Sequence, residues 1–165
     1  IKSIADLKGK KIAFVDPSSA SGYIYAGAML KDAGIDLEKD IQYQFSGGHD
    51  KSLQLLLNKD VDVIATFDGV EERYAKDFPA ALTDIEKLAS SDTIPGIMVT
   101  ASSKMDKDLQ EKLKQALLDM DKDPKMKELF TKMFSITGFE EVDQTAYNKV
   151  EETAKVMNVD LDKVK

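Results

Sequence analysis

One stretch constrains this chain more than any other: a short apolar run breaks at Asp-Pro, passes through small hydroxyl residues and becomes a helical pattern. It begins at Lys11 and reads KIAFVDPSSASGYIYAGAMLKDAG. Ile12, Ala13, Phe14 and Val15 predict a buried strand, and Pro17 stops it from continuing as a central element. Ser18, Ser19, Ala20, Ser21 and Gly22 follow directly, then Ile24, Ala28 and the Met29/Leu30 pair recur at helical spacing until Gly34. A helix that opens on small residues leaves its first N–H groups unpaired, and the helix dipole adds partial positive charge there. Such an end suits an anion, the serine hydroxyls are further donors, and Gly22 removes a side chain that would block close approach. Taken alone, the same serines also serve as ordinary helix caps.

The pattern recurs. Residues 41–46, IQYQFS, alternate as a period-two strand and end at Gly47-Gly48. His49, the only histidine, then precedes a helix whose face is Leu53, Leu56 and Leu57, with Asp50 expected as its N-cap. A loop histidine on its own is commonly a surface or packing residue. VDVIATF, residues 61–67, predicts a third strand ending at Asp68-Gly69 before the helical segment VEERYAKD. Three strand ends thus carry polar or small residues before helices, and in an open parallel sheet ligands sit outside the carboxyl ends of the strands.

Ahead of the first strand, residues 3–9 predict a helical turn capped by Ser3 with Asp6 three residues on. Residues 85–101 suggest two further strands, IEKLAS and IMVTA, with the turn Ser90–Gly96 between them as another wall of the site. Helices follow. Leu109, Leu113, Ala116, Leu117 and Met120 form one apolar stripe, with Asp106 near its cap and a break at Asp123-Pro124. Met126, Leu129, Phe130, Met133 and Phe134 form a second, and both stripes are expected to be core. A last helix is expected around Tyr147–Met157, before a Lys/Asp tail.

Composition narrows the chemistry. A length of 165 residues suits one domain with a core, or one domain with an appended helical part. A formal charge of -7, with no basic cluster interleaved with aromatics, argues against nucleic-acid binding, so any anion site must be local. The absence of cysteine excludes disulfides, thiolate metal sites and cysteine nucleophiles. No apolar run approaches the roughly 18 residues of a membrane-spanning helix. A start at Ile1 suggests a processed or truncated chain.

The segments DLKGKKIAFVDPSSASGY, FSGGHDKSLQLLLNKDVDVIATFD and IPGIMV occur in an order that resembles the phosphate-, phosphite- and phosphonate-binding branch of ABC-transporter solute-binding proteins. The family motif DPxSTSG and its G-S-H-D loop are matched here by Asp16-Pro17-Ser18-Ser19-Ala20-Ser21-Gly22 and Ser46-Gly47-Gly48-His49-Asp50. Ala20 replaces the motif threonine, removing one hydroxyl but keeping its N–H, and Gly96-Ile97 stands where the family often has Asn or Asp.

The resemblance implies an α/β fold, a three-layer open-sheet lobe of a type 2 periplasmic binding protein followed by C-terminal helices. Residues 1–95 would form the second ligand-binding lobe, and 96–165 a return strand and helices of the first lobe. The family's N-terminal first-lobe segment would be lacking. It further implies ligand contacts at Ser18, Ser19, Ala20, Ser21, Gly22, His49 and Asp68, with Asp68 placed to meet an ammonium group on the ligand. The partners would be a phosphorus oxyanion and a membrane permease, with no metal, no cofactor and no nucleic acid. The protein would be exported, periplasmic or lipid-anchored at the outer face of the cytoplasmic membrane. Two other readings stand beside it. One is a phosphatase or esterase with Ser19 or Ser21 as nucleophile, His49 as base and Asp50 or Asp68 as orienter. The other is a degenerate interaction module without a ligand.

Overall fold

Strand and helix signals alternate in the first half of the chain, and they become a three-stranded parallel sheet in the computed structural model of the protein. It describes residues 1–96, 98–160 and 163. Strand β1 (Lys11–Phe14) is central, flanked by β2 (Gln42–Phe45) and β3 (Val63–Ile64). Ile12 stands opposite Tyr43 and Val63, and Ala13 opposite Gln44 and Ile64. Parallel neighbours need a crossover, so helix α1 (Tyr25–Asp32) joins β1 to β2, and α2 (His49–Leu57) carries the chain across β1 to β3. All three strands therefore end at the same edge of the sheet.

The alternation of side chains along β1 gives the layers. Ile12 and Phe14 belong to a buried cluster with Ile24, Tyr25, Ala28 and Leu30 of the helix that follows, and with Ile35, Leu37 and Ile41 of the return to β2. Ala13 turns the other way, to the face where α2 lies against β1 and β3 with Leu53 and Ser52 fully buried. Each large apolar side chain buried this way contributes about 1.5–3 kcal/mol. The turn before β1 is a 3-10 helix, Ile4–Leu7, where the Asp6 carboxylate accepts the N–H groups of Lys2 and Ser3.

Short helices α3 (Val70–Arg73) and α4 (Ala81–Asp84) follow β3. The two strands expected over 85–101 do not form among the described residues, while Ile97 of that run lies outside them. No neighbouring strand pairs with this stretch, and Leu88 and Ile94 instead pack as single side chains against the core. Its turn is tied by an ion pair between Asp92 and Lys149, 3.4 Å. The Lys/Asp tail falls largely on residues 161, 162, 164 and 165, outside the described ones.

The chain divides into two units. Helices α5 (Lys107–Leu118) and α6 (Pro124–Phe134) lie in the unit Pro95–Ala146. Asp106 caps α5 by accepting the Leu109 N–H at 3.1 Å, and Asp123 caps α6 by accepting the Lys125 N–H at 2.8 Å. Their apolar stripes are not core, contrary to the expectation from spacing. No residue of either helix is buried, and Leu109, Leu113, Leu129, Met133 and Phe134 are each about half exposed. Two helices within one small unit give these stripes too little opposing surface to be covered.

Helix α7 (Asn148–Val156) belongs instead to the other unit, with Ile1–Ile94. Ala154 and Met157 enter the cluster around Phe14. Met157 lies so close to Gly27 that a Cβ there would stand 2.2 Å from the Met157 Cε.

Two substitutions test this core in opposite directions. Met157→Ala should cost about 2–5 kcal/mol in urea unfolding, since it opens a cavity where α7 meets α1; a loss below about 1 kcal/mol would mean that α7 docks without it. Tyr25 is 4% exposed, and its hydroxyl has no hydrogen-bond partner among the described residues. Tyr25→Phe should therefore leave stability unchanged or raise it by up to about 1 kcal/mol, and a clear loss in the same assay would reveal a partner for that hydroxyl.

Candidate oxyanion site

The β1 end is closed by a tight return. The Val15 N–H donates to the Gly22 carbonyl at 3.0 Å, and a Cβ on Gly22 would meet the Val15 Cβ and Cγ2 at 2.5 Å and the Ser19 Oγ at 2.8 Å. Only glycine fits there. Between these residues the chain enters a π-helical turn, Ala20–Ile24, that runs on into α1. Ser19 is its cap. The Ser19 Oγ accepts the Gly22 N–H at 3.0 Å, and its carbonyl accepts the N–H groups of Tyr23 and Ile24, each at 3.0 Å.

That bonding leaves a defined set of donors over. Ala20 N–H, Ser21 N–H and the Ser21 hydroxyl have no partner among the described residues, and Ala20 and Ser21 are half-buried. The Ser19 hydroxyl hydrogen also has no acceptor among the described residues, where its oxygen accepts one bond. Ser18 differs. Its hydroxyl and its N–H both donate to Asp16 Oδ1, at 2.5 and 2.8 Å, and Ser18 is exposed. These bonds, the hydroxyl first, hold the Asp16 carboxyl below its usual range. Ser18 thus shapes the loop around an acidic neighbour.

The loop after β2 is fastened to the end of β1. Ser46 N–H donates to the Phe14 carbonyl and Gly47 N–H to the Val15 carbonyl, both at 2.8 Å, with Gly47 at φ +77°. The Ser46 Oγ donates to the Gly48 carbonyl at 2.9 Å and lies 2.6 Å from the Ser52 Oγ. Helix α2 then begins at His49, with Gly48 as N-cap and no side-chain cap. Asp50, expected as the cap, is the second residue of the helix and is exposed. Gly48 in extended backbone takes the cap position instead.

His49 leans toward the third loop. Its Nδ1 lies 2.8 Å from the Thr66 Oγ1, and its ring meets Phe67 edge to face at 4.7 Å between centroids. Burial pushes the imidazole below its ordinary value near 6.5, opposed by the nearby Asp50 charge. In the neutral tautomer in which Thr66 donates to Nδ1, the hydrogen sits on Nε2, leaving a donor with no partner among the described residues. Thr66 and Phe67 are contributions that the sequence reading missed. Both fall in the run VDVIATF, and pairing extends only to Val63–Ile64, so the last residues are loop rather than strand.

Asp68 is exposed and ion-paired with Lys87. Of the residues a hydrolase reading would use, His49 is bonded through Nδ1 to Thr66, the Ser19 oxygen accepts from Gly22, and Asp68 pairs with Lys87. Among the described residues no three His, Cys, Asp or Glu side chains group as metal ligands. What the arrangement offers is neutral hydrogen-bond donors at a helix start and an imidazole from the adjacent loop, suited to holding a compact oxyanion.

Comparison with known proteins identifies a family. The curated relative with 32% identity over 125 residues is the phosphate-import protein PhnD of Mycolicibacterium smegmatis; the match covers 69% of this chain and 38% of that protein. The crystal structure of a binding protein component of an ABC phosphonate transporter from Pseudomonas aeruginosa superposes with a TM-score of 0.78. Its identity is 20%, over 96% of this chain and 54% of that one. PhnD1 from Prochlorococcus marinus in complex with methylphosphonate superposes with a TM-score of 0.73 and 22% identity, over 94% of this chain and 59% of that one. The chain thus spans between about two fifths and three fifths of the length of these relatives. Residues 1–147 match the family described as ABC transporter, phosphonate, periplasmic substrate-binding protein, and the chain belongs to that family.

Proposed function

We propose that this chain supplies the oxyanion-holding lobe of the solute-binding component of an ABC importer and takes a phosphonate, phosphite or phosphate. The observation that carries this reading is the set of unpartnered donors on Ala20 and Ser21, half-buried at the start of the helix that follows β1. Ser19, Ser21 and the Ala20 N–H would hold the phosphorus-bound oxygens, and the His49 Nε2 would donate from the second loop. Gly22 contributes by its lack of a side chain, and Ser18 by fixing the loop. Binding needs no covalent step, metal or cofactor, so the ligand would be released intact. Membership of a periplasmic binding-protein family supports an exported protein that delivers its ligand to a membrane permease.

Ser21→Ala removes one hydroxyl donor from a charged oxygen. It should weaken methylphosphonate binding by about 1–3 kcal/mol, read by isothermal calorimetry or, for weak binding, by amide NMR titration. Unchanged affinity would take Ser21 out of the site.

The depressed His49 value sets a pH dependence. His49 is neutral above its ordinary value near 6.5 and gains a proton only as pH falls below it, while a bound anion favours the charged form. The affinity advantage of the wild type over His49→Gln should therefore be level between about pH 7.5 and 9 and grow as pH falls below about 6.5. Comparing the two proteins at each pH cancels the ligand's own ionisation. An advantage that declines steadily from neutral to alkaline pH would show instead that His49 is charged in the free protein.

A further inference from the structure

We infer that Lys87 is a specificity-determining residue of the proposed site: it occupies Asp68, so that the site takes phosphorus oxyanions that carry no cationic group of their own. This rests on the reading of the three loops as an oxyanion site. Asp68 follows directly on Thr66 and Phe67, the two residues that hold the His49 imidazole by a hydrogen bond and a ring contact. Its side chain is 74% exposed. An open carboxylate there repels an arriving oxyanion and attracts an ammonium group on the same ligand. In the structure that place is taken: the Lys87 Nζ pairs with Asp68 Oδ1, from the coil that follows α4.

The Asp68 hydrogen bond and charge, and then the charges of Glu71 and Glu72, hold the Lys87 ammonium above its ordinary range. Lys87 therefore offsets the acidic side of the third loop, where the first two loops offer mainly neutral donors. A ligand with its own ammonium group must displace Lys87 before it gains Asp68, whereas a ligand without one meets a neutralised pair. Both side chains are solvent-exposed, so displacement is a competition and appears as a ratio of two affinities.

The test compares methylphosphonate with 2-aminoethylphosphonate by amide NMR titration on the wild type, Lys87→Met, Asp68→Asn and the double variant. The wild type should bind methylphosphonate the more tightly. Lys87→Met should lower the methylphosphonate-to-aminoethylphosphonate affinity ratio by about threefold to fivefold, within the scale of one exposed ion pair. The same substitution made on top of Asp68→Asn should move the ratio less than about twofold, because Lys87 acts through Asp68. A ratio unmoved by Lys87→Met overturns the inference while leaving the oxyanion site standing. An equal shift with and without Asp68 also overturns it, since Lys87 would then act only as a general charge. A wild type that binds neither ligand removes the oxyanion reading itself, and this inference with it.

Discussion

The close approach of Gly22 to Val15 governs the site. The strand end and the helix start are drawn together until no side chain fits between them, and the Val15 N–H is satisfied by the Gly22 carbonyl. With the two elements pinned, Ser19 must serve three N–H groups, one through its hydroxyl oxygen and two through its carbonyl. The N–H groups of Gly22, Tyr23 and Ile24 are thereby satisfied, and the open donors of this turn are left on Ser19, Ala20 and Ser21. The wider π turn is the form that lets one carbonyl meet two successive N–H groups. The donors are thus a remainder fixed by backbone geometry.

The same strand end organises the other loops. Phe14 and Val15 give their carbonyls to Ser46 and Gly47, which brings the second loop across the sheet edge, and His49 continues the line to Thr66 on the third. A protein with a net charge of -7 presents an unfavourable field to an anion at long range. The donors of the proposed site are mostly neutral amides and hydroxyls fixed at short range, where orientation outweighs net charge. Recognition of this kind would discriminate by shape and hydrogen-bond count rather than by bulk attraction.

Much of this was legible in the residues. The apolar run before Asp16-Pro17, the small residues after it, and the glycines that end the second strand all describe backbone events that local chemistry dictates. Less legible was anything that depends on a partner far along the chain. IEKLAS has the alternation of a strand, but a strand exists only beside another, and among the described residues none pairs with it. The stripes of α5 and α6 have the spacing of core residues, but burial requires an opposing surface that spacing cannot supply. Asp50 is a better cap by type than Gly48, yet the helix starts two residues earlier, directly after a loop that is already fastened to β1. Thr66 was hidden in an apolar word, and Lys87 in an unremarkable polar one.

Helix α7 gives the fold a cost in time as well as in contacts. The core around Phe14 is completed by residues that lie beyond the whole of the Pro95–Ala146 unit in the chain. Closing so long a loop adds only about 0.6 kcal/mol for each doubling of its length, so the equilibrium penalty is mild. The effect on order is larger. The sheet and its three loops draw on contacts within the first part of the chain and can assemble early, while α7 must wait for a distant segment to arrive. During synthesis the three loops would take shape on a core still open on one side, which is closed later by Ala154 and Met157.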